Sequence, residues 1–164
     1  MTNLFGIKDD FRDQTSHVIP ALIKKISKAK KENRPLEVWG NSSVTRDFIT
    51  TDFASEVVLK TLQKNDGLGR INVASGKSRS IGQIVRFLRQ YFAFENDVIW
   101  LNNKPTGQPL RTLDISKFEN LIGIENEDFY NELERVCAYY ILNENRLDEM
   151  NKTAKYNEGF SRNS

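Results

Sequence analysis

Cysteine is nearly absent: Cys137 is the only one among 164 residues. No intrachain disulfide can form, and no cysteine-based metal site can be assembled. Cys137 sits in the apolar run Val136-Cys137-Ala138-Tyr139-Tyr140-Ile141, which predicts a buried structural thiol. Charge of one sign is also scarce. The formal net charge is only +2, too little to recruit nucleic acid or an anionic membrane surface. No stretch approaches the roughly 20 apolar residues that a transmembrane helix needs. The first ten residues hold no apolar run of the kind a secretory leader carries, so a cytoplasmic location is expected. Histidine is as rare as cysteine, with His17 alone.

The remaining composition, 38% apolar and 28% charged, is that of one globular domain with a polar tilt. Residues 1–13 read as polar and irregular. A helix is predicted from a Ser16 cap to about Asn33, with Pro20 in its first turn and an apolar stripe of Val18, Ile19, Leu22, Ile23 and Ile26. Its basic cluster, Lys24, Lys25, Lys28, Lys30 and Lys31, reads first as a solvated face and second as a place where one lysine meets a phosphate. Leu36–Trp39 is a predicted strand closed by a turn at Gly40, and Arg46–Ile49 a second extended piece. A helix should run from Thr50 or Thr51 to Lys64. Arg70–Val73 is a predicted strand, followed by a Gly/Ser loop to Arg79. Ser80 and Gln83 have capping-box spacing and open a third helix. Further on come a strand at Asp97–Leu101, a loop at Asn102–Pro109, a short helix at Ser116–Leu121 and a last helix at Glu127–Asn143. The polar residues 146–164 are expected to form a disordered tail. Strands alternating with helices argue α/β packing. The strands are few and short beside helices with broad apolar sides, which predicts an exposed apolar patch of more than a few hundred Å².

Five blocks carry a resemblance. Asn3-Leu4-Phe5-Gly6 followed by Ser16-His17-Val18-Ile19-Pro20-Ala21-Leu22 resembles the Asn-Leu-Tyr-Gly and Ser-His-Val-Ile-Pro-Ala-Leu pattern of the GDP-L-fucose synthases, within the extended short-chain dehydrogenases/reductases of the NAD-dependent epimerase/dehydratase family. Val38-Trp39-Gly40 with Arg46-Asp47-Phe48-Ile49, Ile71-Asn72-Val73-Ala74-Ser75-Gly76, and the stretch from Lys104 to Asp114 are similar to further blocks in the same order. Departures occur at Ile7, Thr106, Gln108 and Leu110. The Gly-rich strand-turn-helix that seats a dinucleotide and a Tyr with Lys four residues on, both expected in that family, are not found in the sequence.

The resemblance implies an α/β fold corresponding to the substrate-binding, carboxy-terminal part of an extended reductase (residues 1–145), without the amino-terminal Rossmann cofactor domain. It implies a partial enzyme, inactive alone, whose whole reaction would convert GDP-4-keto-6-deoxy-D-mannose to GDP-L-fucose with NADP as cofactor. A non-catalytic sugar-nucleotide-binding or regulatory module and a degenerate remnant are the alternatives. Expected partners are a GDP-linked deoxyhexose and a separate amino-terminal Rossmann half, with no nucleic acid and no membrane. His17 matches the family's acid/base position, and an imidazole can exchange a proton with a carbon acid beside a ketone. Asn3, Leu4 and His17 match the edge of the nicotinamide and sugar pocket. Lys25, Trp39, Gly40, Arg46 and Arg111 match substrate-binding positions, where cations suit a diphosphate.

Overall fold

The computed structural model describes residues 2–64, 69–103, 113–122 and 128–161, the last stretch by its backbone alone from 152 onward. Its first helix, α1 (Val18–Lys31), places Ile19, Leu22, Ile23 and Ile26 on one buried side. This is the stripe expected from a 3.6-residue period. The cap is His17 rather than Ser16, and no side chain closes the cap. The lysines at the far end of α1 suit the negative pole of the helix. They are also engaged: Lys24 donates to Asp13 at 2.6 Å, Lys30 to the Phe92 carbonyl, and Lys31 pairs with Glu144. The cluster is therefore fastened to neighbouring elements and leaves Lys25 to a different role.

Five strands form two small sheets. β1 (Asn3–Phe5) pairs in parallel with β3 (Thr45–Thr50), whose other edge pairs antiparallel with β4 (Ser78–Ser80). β2 (Leu36–Trp39) pairs in parallel with β5 (Val98–Leu101). Parallel neighbours require long crossovers, which the helices supply: α1 lies between β1 and β3, and α2 (Thr51–Gln63) and α3 (Ile81–Tyr91) lie between β2 and β5. This corrects the expected fold class. A substrate part devoid of Rossmann-type construction is not what the chain forms, because both sheets are built on parallel strand–helix–strand crossovers.

Local differences have local causes. β1 was read as irregular because three residues between polar neighbours leave no alternation to detect. Gly6, directly after it, is required: a Cβ there would stand 2.2 Å from the Thr51 hydroxyl oxygen at the start of α2. Arg70–Val73 is not a strand; the Val73 carbonyl accepts one bond, from the Thr2 N–H at 3.0 Å. The strand β4 falls instead in the expected loop, where Gly76 takes a φ of 69° and turns the chain back against β3. Thr50 caps α2 by accepting from the Phe53 N–H. Ser80 and Gln83 make the reciprocal capping box at α3.

α4 (Ser116–Ile122) and α5 (Phe129–Ser161) complete the element order. The last helix was expected to stop near Asn143, ahead of a disordered tail. It continues to Ser161, and Asn151 is buried, accepting from the Asp13 N–H at 3.2 Å and donating to the Leu147 carbonyl at 2.7 Å. Leu133, Val136, Cys137 and Tyr140 of α5 join α1, α3 and both sheets in the larger core. A smaller core gathers Ile49, Phe53, Val57, Val73 and Phe118 beneath α2 and α4. The outer side of α2 exposes Leu59 and Leu62.

Candidate active site

Two neighbouring clefts open around the first turns of α1. The outer cleft has a volume of about 390 Å³ and lies between α1, the end of β2 and the start of β3. Lys25, Trp39, Gly40 and Arg46 all line it. Strand alternation explains Trp39: Leu36 and Val38 enter the core, so Glu37 and Trp39 face outward. The indole is 59% exposed, which decides against a core-packing role. Gly40, with φ of 81°, turns the chain at the rim, a backbone conformation that suits glycine. The Lys25 ammonium stands 5.1 Å from the Trp39 ring centroid and donates to the Glu37 carbonyl at 3.4 Å. Half-burial pushes its pKa down; the Glu37 carboxylate opposes this and Arg34 adds to it. The Arg46 guanidinium donates to its neighbour's carbonyl, Thr45 O, at 2.7 Å.

The inner cleft, about 260 Å³, is lined by Thr2, Asn3, Leu4, His17, Val18, Ile19 and Phe48. Val18 borders both clefts, so they adjoin across the helix start. His17 is exposed at the N-cap of α1, with its carbonyl accepting from the Ala21 N–H at 3.0 Å and its imidazole uncommitted to the cap. Seven of the eight residues singled out in the sequence thus fall on these two surfaces. The eighth, Arg111, lies outside the described residues, as does the loop at 104–112.

Three participants were not anticipated. Asp9 stands near His17: burial raises its carboxyl pKa, opposed by the N–H of Asp10 and by the charge on His17. Its Oδ2 is buried without a hydrogen-bond partner. Asp10 binds Arg12 and accepts from Thr15, which fastens the segment leading into His17; the Arg12 contact holds its carboxyl well below the usual carboxylate range. Asp47 is 1% exposed and accepts from two backbone N–H groups, those of Ser75 and Gly76, each at 2.9 Å. The sequence signal for Asp47 was a lone carboxylate directly before the apolar pair Phe48-Ile49. Among the described residues no group of three or more His, Cys, Asp and Glu is placed to hold a metal, and no helix is long and apolar enough to cross a membrane.

Residues 1–74 match the sequence model of the NAD dependent epimerase/dehydratase family. The chain is 33% identical over 121 residues to a probable GDP-L-fucose synthase 1 of Oryza sativa subsp. japonica, covering 73% of this chain and 37% of the relative. It is 29% identical over 143 residues to GDP-L-fucose synthase 1 of Arabidopsis thaliana, covering 87% and 44%. In fold it is similar to a GDP-L-fucose synthetase from Naegleria fowleri solved with NADP bound, with a TM-score of 0.79, 25% identity, and 87% of this chain and 44% of that one covered.

These findings correct two expectations. The likeness is not confined to a carboxy-terminal substrate half, because the family match starts at residue 1 and the fold likeness takes in 87% of the chain. The reading as an inactive partial enzyme, a non-catalytic module or a remnant is overturned as well, since most of the chain aligns with curated synthases at 29–33% identity. None of these three matches points to a separate companion chain. The chain spans 37–44% of the length of these curated relatives. Over residues 1–74 the sequence is similar to the NAD dependent epimerase/dehydratase family, and over most of its length the fold is similar to that of a GDP-L-fucose synthetase.

Proposed function

We propose that this chain serves the NADP-dependent conversion of a GDP-linked 4-keto-6-deoxyhexose, in the manner of a GDP-L-fucose synthase. The observation that carries the proposal is the gathering of Asn3, Leu4, His17, Lys25, Trp39, Gly40 and Arg46 on two adjoining clefts. The outer cleft takes the nucleotide diphosphate. Lys25 and Arg46 supply positive charge, and the exposed Trp39 face supplies a stacking surface. The inner cleft takes the sugar and the edge of the nicotinamide, against Asn3, Leu4 and Phe48. The cofactor in its reduced form, NADPH, would supply the hydride for the reduction and leave as NADP+. His17 exchanges a proton on one face of the carbon next to the keto group; inversion of that carbon is completed by a second acid/base group acting on the opposite face. The Asp9 carboxylate, which feels the charge on His17, would favour the imidazolium while it exists. Action in the cytoplasm is part of the same proposal, and a lone buried thiol suits a reducing compartment.

Calorimetric titration of the purified chain with GDP tests the outer cleft. Each of Lys25→Ala and Arg46→Ala should weaken binding by about tenfold or more, since a hydrogen bond to a charged group contributes about 1.5–3 kcal/mol. With NADPH and the 4-keto sugar nucleotide in deuterated water, His17→Ala should abolish deuterium incorporation into the sugar while GDP binding stays. Absence of GDP binding by the wild-type chain, or indifference to both cation variants, would remove the proposal's basis.

A further inference from the structure

Asp47 lines neither cleft, yet its peptide carbonyl holds two polar groups of the inner one. Its carboxylate is held by two N–H donors: Ser75 N–H to Oδ1 and Gly76 N–H to Oδ2, each at 2.9 Å. Such charge-assisted bonds to a buried carboxylate are short and directional. Its own carbonyl accepts twice, from the Thr2 hydroxyl at 2.9 Å and from the Asn3 side-chain amide at 2.7 Å. A carbonyl oxygen can only accept, so the Asn3 atom that faces it is Nδ2. The amide of Asn3 is thereby committed on its donor side. Its carbonyl oxygen is left as the atom that Asn3 can offer to the inner cleft. Along β3, the neighbouring Arg46 alternates to the opposite side and lines the outer cleft.

We infer that Asp47 is a positioning residue that locks the Asn3 amide, so that the inner cleft presents a hydrogen-bond acceptor and selects a ligand group bearing an N–H or O–H donor. A carboxamide NH2 and a sugar hydroxyl share that chemistry. The anchor runs from the turn at Ser75–Gly76 through the Asp47 carboxylate to its peptide carbonyl and on to Asn3. The parallel pairing of Asn3 with Phe48 keeps the two strands in register. This inference rests on the proposed function for the identity of the ligand, while the orientation of Asn3 stands without it.

The test has a ligand-free arm and a ligand arm. In the wild-type chain, NMR should show the Asn3 side-chain amide protons exchanging at least tenfold more slowly than those of exposed asparagines. Asp47→Asn, which turns an acceptor into a donor opposite an N–H, should erase that protection. Asp47→Glu, which keeps both acceptor oxygens, should restore it in part. In the ligand arm, NADP is compared with its 3-acetylpyridine analogue, which lacks the carboxamide donor, and GDP-mannose with GDP. A wild-type preference of at least tenfold within the first pair assigns the donor to the carboxamide; within the second, to a sugar hydroxyl. Either preference should vanish in Asp47→Asn, as a merely structural loss of stability would not require. Unprotected Asn3 in the wild type, or protection unchanged in Asp47→Asn, overturns the inference. If no ligand binds, the function proposal fails, and the exchange arm still judges Asp47. If Asp47→Asn does not fold, the protection of Ser75 N–H, Gly76 N–H and the Asn3 amide is followed on warming the wild type. Joint loss below global unfolding supports the coupling, and separate loss overturns it.

Discussion

The two cores of the molecule do different work. The larger one joins α1, α3 and α5 to both sheets, and its surface residues are the walls of the clefts: Leu22, Val38, Val44 and Ile81 in the outer, Ile19 and Phe48 in the inner. None of the smaller core's buried residues lines either cleft. The smaller core reaches the site from behind: Ile49 pairs with Leu4 across the strands, the Val73 carbonyl accepts from the Thr2 N–H, and the Ser75 N–H donates to the Asp47 carboxylate. The site is therefore a feature of the larger core's surface, and the smaller core positions it from behind.

The sharpest way to break this contrast is to open a cavity in each core. Leu88 on α3 is fully buried in the larger core and lines neither cleft. Leu88→Ala should cost about 2–5 kcal/mol, the range for a leucine truncated in a packed interior. Val57→Ala in the smaller core removes about two methylene equivalents and should cost about 2 kcal/mol. Denaturant unfolding gives both values. Val57→Ala should leave GDP binding intact at temperatures where the Leu88→Ala chain has begun to lose it. Equal costs and equal losses of binding would show that the two cores are one cooperative unit.

Sequence reading recovered the helices of the larger core because their apolar stripes are long and periodic, as in Ile19, Leu22, Ile23 and Ile26. It recovered the capping box because Ser80 and Gln83 are three apart and need no distant partner. The short strands defeated it. β1 and β4 have three residues each, and their existence depends on pairing with β3 from far along the chain. The end of α5 was misplaced because its polar surface hides a long-range anchor, Asn151 against Asp13 and Phe11. Of the residues that the resemblance singled out, seven lie on the two clefts and Arg111 lies outside the described residues. Asp47 was not, since its role lies in what its two oxygens and its carbonyl accept in space.

The larger core also carries a titrating group that the smaller lacks. Burial pushes the Cys137 thiol up to about 12, with the Glu134 charge adding to the shift. The folded chain therefore holds this proton after the unfolded chain, with a thiol near 9, has released it. Stability is untouched by this group below about pH 9 and falls as pH rises from about 9 to about 12. The slope is about 1.4 kcal/mol for each pH unit in that window. Unfolding curves of the wild type and Cys137→Ala should diverge in slope there, whereas Val57→Ala should keep the wild-type slope. A native chain whose thiol alkylates rapidly at pH 8 would contradict the burial on which this rests.

The smallest expected effect separates fold from function most cleanly. Thr50 and Ser80 close the N-termini of α2 and α3 with side-chain hydrogen bonds, and the N-cap of α1 has none. His17 occupies that position, where Asn, Asp or Ser would be favoured. His17→Asn should therefore stabilise the chain by about 0.5–1 kcal/mol by giving α1 the cap it lacks, while removing the proposed proton-transfer group from the inner cleft. Thermal unfolding combined with the deuterium-incorporation assay measures both sides. Greater stability with lost exchange supports His17 as the acid/base group. Lower stability in His17→Asn would instead make the imidazole a structural support for the α1 turn, and the assignment of proton transfer would have to move elsewhere on the cleft.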